Sequence, residues 1–327
     1  MERAPKTQEV MGWKVAASLF FIATGAGSYL VGFLSGLIDP AGSMMLSKLA
    51  VILGAPSVLV GGCLLLCDMG QKSKFYHMIS RPGSSWMSRG AFFVILFLVF
   101  NLIHLFTGIW PTTTLLTHPA VYLMIGIIAS ILAVLTLVYT GFLLGAVKAI
   151  PFWSSSFLPW LFLLSGLSTG AMATSLAFSI YKFSGGDGPV QHLTYLTRFN
   201  FFVIILEAIV LGSYLGVMRS RAAGSVKMLT RGKLARAFWG GVVFAALIVP
   251  FVIEALKAFI PPGPALLLAL ALPGGIIGLI GGYMLRHVVV YGGTRIPLNV
   301  QGQRVAPPPE KYETKVIDSD YQSFQKA

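Results

Sequence analysis

The 327-residue sequence is 56% hydrophobic and 11% charged, with a formal net charge of +13. That composition fits an integral membrane protein and excludes a soluble core carrying a single anchor. The positive excess lies in short connections between apolar runs, so it reads as basic loops beside an anionic leaflet and not as a nucleic-acid surface.

Eight apolar runs occur, at roughly 13–37, 48–67, 90–110, 121–147, 157–181, 198–218, 238–259 and 264–290. Each has about twenty residues or more, enough for a helix to cross ~30 Å of hydrocarbon. In lipid the backbone must satisfy its own hydrogen bonds, so the expected fold is an all-α polytopic bundle of eight transmembrane helices. The first run is uncharged from Val15 to Ile38, longer than a signal-peptide core, and is expected to be retained as a helix. Within it Ser28, Gly32 and Gly36 share a face on which a neighbouring backbone can approach closely. In the second, Pro56 should kink the helix, and Asp68 closes it before a basic connection. Cys63 and Cys67, one turn apart, suit neither a disulfide nor an iron–sulfur cluster and read as apolar core residues.

The third run carries Asn101 and His104, three apart and hence on one helix face, and the fourth opens near Tyr122. The fifth contains Phe162–Thr169, which is similar to Phe21–Ser28 of the first; Thr24-Gly25 and Ser165-Gly166 correspond. Four runs separate the two segments, so the halves would share one orientation. The expectation is a parallel repeat of two four-helix bundles, 1–147 and 148–290, followed by a polar tail, 291–327. The sixth begins with Arg198 and Asn200 and carries Glu207 near its centre. A charge there costs ~2.5–3.5 kcal/mol on insertion scales, so Glu207 should face protein or water. It reads as a proton relay or the wall of a polar cavity, against the plainer role of an interhelical tether.

Glu254 and Lys257 in the seventh run are three apart and expected to form a local ion pair near the interface. Pro250 should kink that helix, and Pro273-Gly274-Gly275 in the eighth is the expected site of a break. Gly274, Gly278 and Gly282 form a second close-packing face. Beyond Gly292, a proline run and mixed charge suggest a partly disordered extension.

Orientation follows from the cations. All of the 24 Lys and Arg residues except Lys48, Lys182, Arg198 and Lys257 fall on the side that carries both termini. Positive charge stays in the cytoplasm, so both termini are expected there, in the inner membrane of the cell.

The five histidines are His77, His104, His118, His192 and His287, and only His104 sits well inside an apolar run. An interior pair of axial ligands for haem is therefore not expected. A quinone headgroup needs hydrogen-bond partners at its two carbonyls, near an interface and beside an apolar cavity. His104, Asn101 and Tyr122, in the outer half with Arg198 and Asn200, suit that need, and histidine can exchange protons. A proton-coupled secondary transporter lined by Glu207 and kinked helices is the competing class.

Several segments, in order, resemble the polysulfide reductase membrane-subunit family, also called the NrfD family. They are Cys67–Phe75, Ser85-Trp-Met-Ser-Arg-Gly90, Leu161–Gly170, Glu207 and Gly292–Leu298. The resemblance implies a subunit that binds quinone or quinol (menaquinone or ubiquinone) and carries no haem or iron–sulfur cluster. It implies a docked four-cluster ferredoxin-type iron–sulfur subunit, often joined to a molybdopterin catalytic subunit. By position it also implies that Asp68, Glu207 and Arg286 are functional polar residues, a proton relay. Gln71-Lys72 departs from the family's Arg-Pro after Asp68 and puts any role of that arginine in doubt. The nearly uncharged outer connection 111–120 suits a surface covered by a partner.

Overall fold

The computed structural model describes residues 12–39, 44–68, 86–109, 119–147, 150–259 and 263–293, and the pairs 299–300 and 303–304. Among them, eight helices are long and apolar enough to cross a membrane. Spans one to four are Trp13–Ile38, Met44–Asp68, Trp86–Ile109 and Pro119–Gly145. Spans five to eight are Phe157–Phe183, Gln191–Arg221, Ala237–Phe259 and Pro264–Tyr291. The protein is thus an all-helical, multi-pass membrane protein. Several helices run past the apolar window because polar residues extend them; span six begins at Gln191, two turns before its apolar stretch. We term the end carrying Trp13 proximal and the end carrying Asp39 distal.

Spans one and five form the centre, and each packs on the other, on its own sequence neighbour and on spans four and eight. Small residues set that closeness. A Cβ on Gly27 would collide with the Gly166 carbonyl, and one on Gly170 would collide with the backbone of Gly27. The Ser28 hydroxyl donates to the Gly170 carbonyl at 3.2 Å, tying the two backbones together. Span two joins on the other side of span one, where a Cβ on Gly25 would lie 2.6 Å from the Gly54 carbonyl and one on Gly61 would lie 2.8 Å from that of Ser18. Gly32 faces Ala50 and Gly36 faces Ser47, so the expected glycine face serves spans one and two, while Ser28 turns toward span five. On span eight, Gly278 and Gly282 meet Met172 and Thr169 of span five, and Gly274 meets Ile253 of span seven.

The connection between spans four and five is anchored from two directions. A single tight turn, Pro151–Trp153, is buried there. Trp153 Nε1 donates to the Val289 carbonyl at 2.8 Å, and the Tyr214 hydroxyl donates to the Phe152 carbonyl at 2.6 Å. Each bond occupies a carbonyl or polar ring atom that would otherwise be buried unpaired.

Two expectations are corrected. Span eight runs as one continuous helix through Pro273-Gly274-Gly275, where Gly274 and Gly275 are buried against Ile253 and Leu176. The irregular backbone lies in span seven instead. Ala237–Ile248, just before Pro250, has wide π-type turns, and Val249 N–H reaches back to the Phe244 carbonyl. Cys63 and Cys67 are exposed on the outer face of span two, not in the core, because the packed face of that helix is the Gly54–Val58–Gly61 side. A short helix, Ala223–Arg231, fills part of the basic connection between spans six and seven. The expected polar tail lies outside the described residues apart from a two-residue strand pairing, Asn299–Val300 with Gln303–Arg304.

Candidate functional sites inside the bundle

Two buried polar clusters lie at different depths. In the distal half, the Tyr29 hydroxyl on span one is 2.6 Å from His104 Nδ1 on span three. The His104 ring stacks obliquely on Tyr122 of span four, centroids 4.2 Å apart, and meets Phe33 edge-on at 5.8 Å. His104 and Asn101 are buried, whereas Tyr122 is 38% exposed and stands at the rim. His104 Nε2 and both amide atoms of Asn101 are buried with no partner among the described residues. A buried amide and imidazole left open in this way are uncommon and call for an explanation. Gly54 makes room for Asn101: a Cβ there would collide with its Nδ2.

His104, Asn101 and Tyr122 are therefore brought to one place. Arg198 and Asn200 are not. Arg198 is exposed, and Asn200 belongs to a separate cluster in which its Nδ2 donates to Glu254 Oε1 at 3.5 Å. There Lys257 Nζ lies 2.8 Å from Glu254 Oε2. The pair follows the expected i,i+3 spacing and is buried, 1% and 4% exposed, so it lies inside the protein. Span six covers it, which sequence spacing alone does not reveal.

In the proximal half, Glu207 of span six and Arg286 of span eight converge on Ser165 of span five. Arg286 Nη1 donates to the Ser165 hydroxyl at 3.2 Å and to the Gly282 carbonyl at 2.8 Å. The Glu207 carboxyl faces the same serine and lies within electrostatic reach of Arg286. The guanidinium carbon sits 5.8 Å from the Phe20 ring centroid and 5.9 Å from that of Phe162, a cation held between two aromatic faces. All three polar residues are buried. Arg286, grouped by sequence with the loop cations, is an internal residue. Asp68 is exposed at the end of span two, and span two shares no packed interface with span six. It therefore stands apart from Glu207 and Arg286.

Sequence reasoning missed Tyr29 and the bridging role of Ser165. The available signal was chemical: a phenol inside a span needs a partner for its hydroxyl, as does a hydroxyl residue recurring at the corresponding positions Thr24 and Ser165. The segment 69–85, with Gln71-Lys72, and His77 and His118 lie outside the described residues.

An eight-span helical bundle with a distal imidazole–phenol–amide cluster and a proximal carboxylate–guanidinium cluster defines a membrane protein built around internal polar chemistry. The sequence model of the family described as Polysulphide reductase, NrfD matches residues 4–297, and the protein belongs to that family. It is 27% identical over 308 residues to Protein NrfD of Escherichia coli (strain K12), covering 87% of this sequence and 95% of that protein. It is 27% identical over 307 residues to the C subunit of polysulfide reductase of Wolinella succinogenes, covering 87% and 94%. A protein NrfD homolog of Haemophilus influenzae is 24% identical over 316 residues, covering 87% and 94%. The second of these is by name one subunit of a multi-subunit reductase.

Proposed function

We propose that this protein is the quinone- or quinol-binding membrane subunit of a multi-subunit respiratory oxidoreductase. The observation that carries the reading is the distal cluster: buried His104 Nε2 and the Asn101 amide lack partners among the described residues and lie behind half-exposed Tyr122. An imidazole and an amide suit the two oxygens of a quinone headgroup, and the Tyr122 rim opens toward the lipid that would hold its tail. Quinol oxidation releases two electrons and two protons. With Nδ1–H donating to the Tyr29 oxygen, Nε2 is free to accept a proton from a quinol hydroxyl. In the other tautomer Tyr29 donates to Nδ1, and Nε2–H donates to a quinone carbonyl.

The electrons would pass to a four-cluster iron–sulfur subunit docked on the distal face, joined to a molybdopterin subunit. The Glu207–Ser165–Arg286 cluster supports a second step, in which a proton is held within the bundle on the proximal side. Asp68, at the proximal surface, would exchange protons with water. On this reading both termini are cytoplasmic and the membrane is the inner one. The packing pairs among spans one to four recur among five to eight, which supports a parallel repeat of two bundles, 1–147 and 148–290.

The test uses the intact complex isolated in mild detergent. Iron–sulfur absorbance should co-purify with this subunit, and quinol oxidation should fall in His104→Ala and in Tyr29→Phe. Isolation without an iron–sulfur partner, or wild-type rates in both variants, would overturn the reading.

A further inference from the structure

The strongest feature outside these clusters is a cationic cavity at the proximal end of spans six and seven. Span six packs on span seven through Val249–Phe259, and the short helix Ala223–Arg231 packs on both span six and Ala237–Ile248. Ser225, Val226 and Leu229 bury the inner face of that helix. Its other face, with the end of span six, forms an open surface pocket of about 240 Å³ lined by Arg219, Ala223, Val226, Lys227, Thr230 and Arg231. The three cations have no hydrogen bond or ion pair to any described residue, and the sequence has no Asp or Glu between Glu207 and Glu254 to neutralise them. Three uncompensated cations around one cavity favour an anion there.

The surroundings indicate the anion's source. Trp239, 54% exposed, donates from Nε1 to the Thr230 carbonyl at 3.1 Å and so pins the short helix at an interfacial depth. Gly212 and Gly216 continue the helix stripe of Arg219 along span six, and a Cβ on either would meet nothing within 4 Å. That smooth strip leads from the cations into the bilayer and gives an acyl tail a place to lie. We propose that this cavity binds the phosphodiester headgroup of an anionic phospholipid, with Arg219, Lys227 and Arg231 on the phosphate and an acyl tail along the Gly212–Gly216 strip. Membrane-surface cations each strengthen such binding by roughly fivefold, so all three together are expected to contribute about a hundredfold.

The experiment is native mass spectrometry of the full-length protein, with its partners, in neutral detergent. It is titrated separately with phosphatidylglycerol, phosphatidylcholine and inorganic phosphate. Phosphatidylglycerol is expected to be retained in preference to phosphatidylcholine and to be lost about a hundredfold in the triple variant R219Q/K227Q/R231Q. The triple variant R221Q/K233Q/R236Q removes the same charge from the same connection outside the cavity and is expected to retain it. Should the first triple fail to fold, the single variants Arg219→Gln and Lys227→Gln each carry an expected loss of about fivefold. Equal loss in both triples, no preference between the lipids, or displacement of phosphatidylglycerol by an equal concentration of inorganic phosphate would overturn the proposal.

Discussion

Tyr29 on span one and His104 on span three share a 2.6 Å hydrogen bond, so the orientation of the imidazole depends on a helix other than its own. His104 Nε2 is thereby aimed by Tyr29 and flanked by Phe33 and Tyr122. Tyr29→Phe keeps the ring and its packing but removes the bond. It is expected to lower quinol oxidation by about tenfold, the worth of one buried hydrogen bond. His104→Ala removes the proposed proton acceptor itself and is expected to cost about a hundredfold or more. Steady-state rates of the intact complex check both, with size-exclusion profiles confirming that each variant is folded.

Removing Arg286 strips its hydrogen bonds to Ser165 and the Gly282 carbonyl from the bundle interior, together with the cation nearest in its influence on Glu207. Arg286→Met is expected to destabilise the protein by about 1–3 kcal/mol, the usual cost of losing buried hydrogen bonds to a charged group. The double variant Glu207→Gln/Arg286→Met measures whether the two side chains are energetically coupled, and its loss is expected to be smaller than the sum of the two single losses. Thermal unfolding in detergent, compared across the single and double variants, gives the coupling.

The glycine seam makes a sharper packing prediction. Gly27→Ala places a methyl group into the Gly166 backbone, which lacks the freedom of a flexible side group to move aside. It is expected to abolish monodisperse protein after extraction. Gly62→Ala, at a position where a Cβ would meet nothing within 4 Å, should be indistinguishable from wild type by the same gel-filtration assay.

Charge asymmetry predicts topology directly. Reporter fusions at either terminus, or after Lys74, should report the cytoplasm, and fusions near Asp187 should report the opposite side. A single fusion of the wrong sign would displace the distal cluster to the other face of the membrane.

The number and placement of the spans were legible because hydrocarbon thickness forces long uninterrupted apolar runs, and Asn101 and His104 were legible as one face because helical spacing places residues three apart together. Tyr29 was hidden because its partner lies 75 positions away and no local periodicity joins them. The same limit hid the burial of Glu254–Lys257, since Asn200 and span six reach it from more than fifty positions away. Exposure of Cys63 and Cys67 was missed for the opposite reason. In lipid an apolar residue gains nothing by turning inward, and small residues, not hydrophobic ones, mark the packed side.

Backbone meets backbone where Gly27, Gly166 and Gly170 cross, with the Ser28 bond alongside. Any sliding of span one against span five would have to part these backbones and break that bond together, so the two helices are expected to move as a single rigid unit.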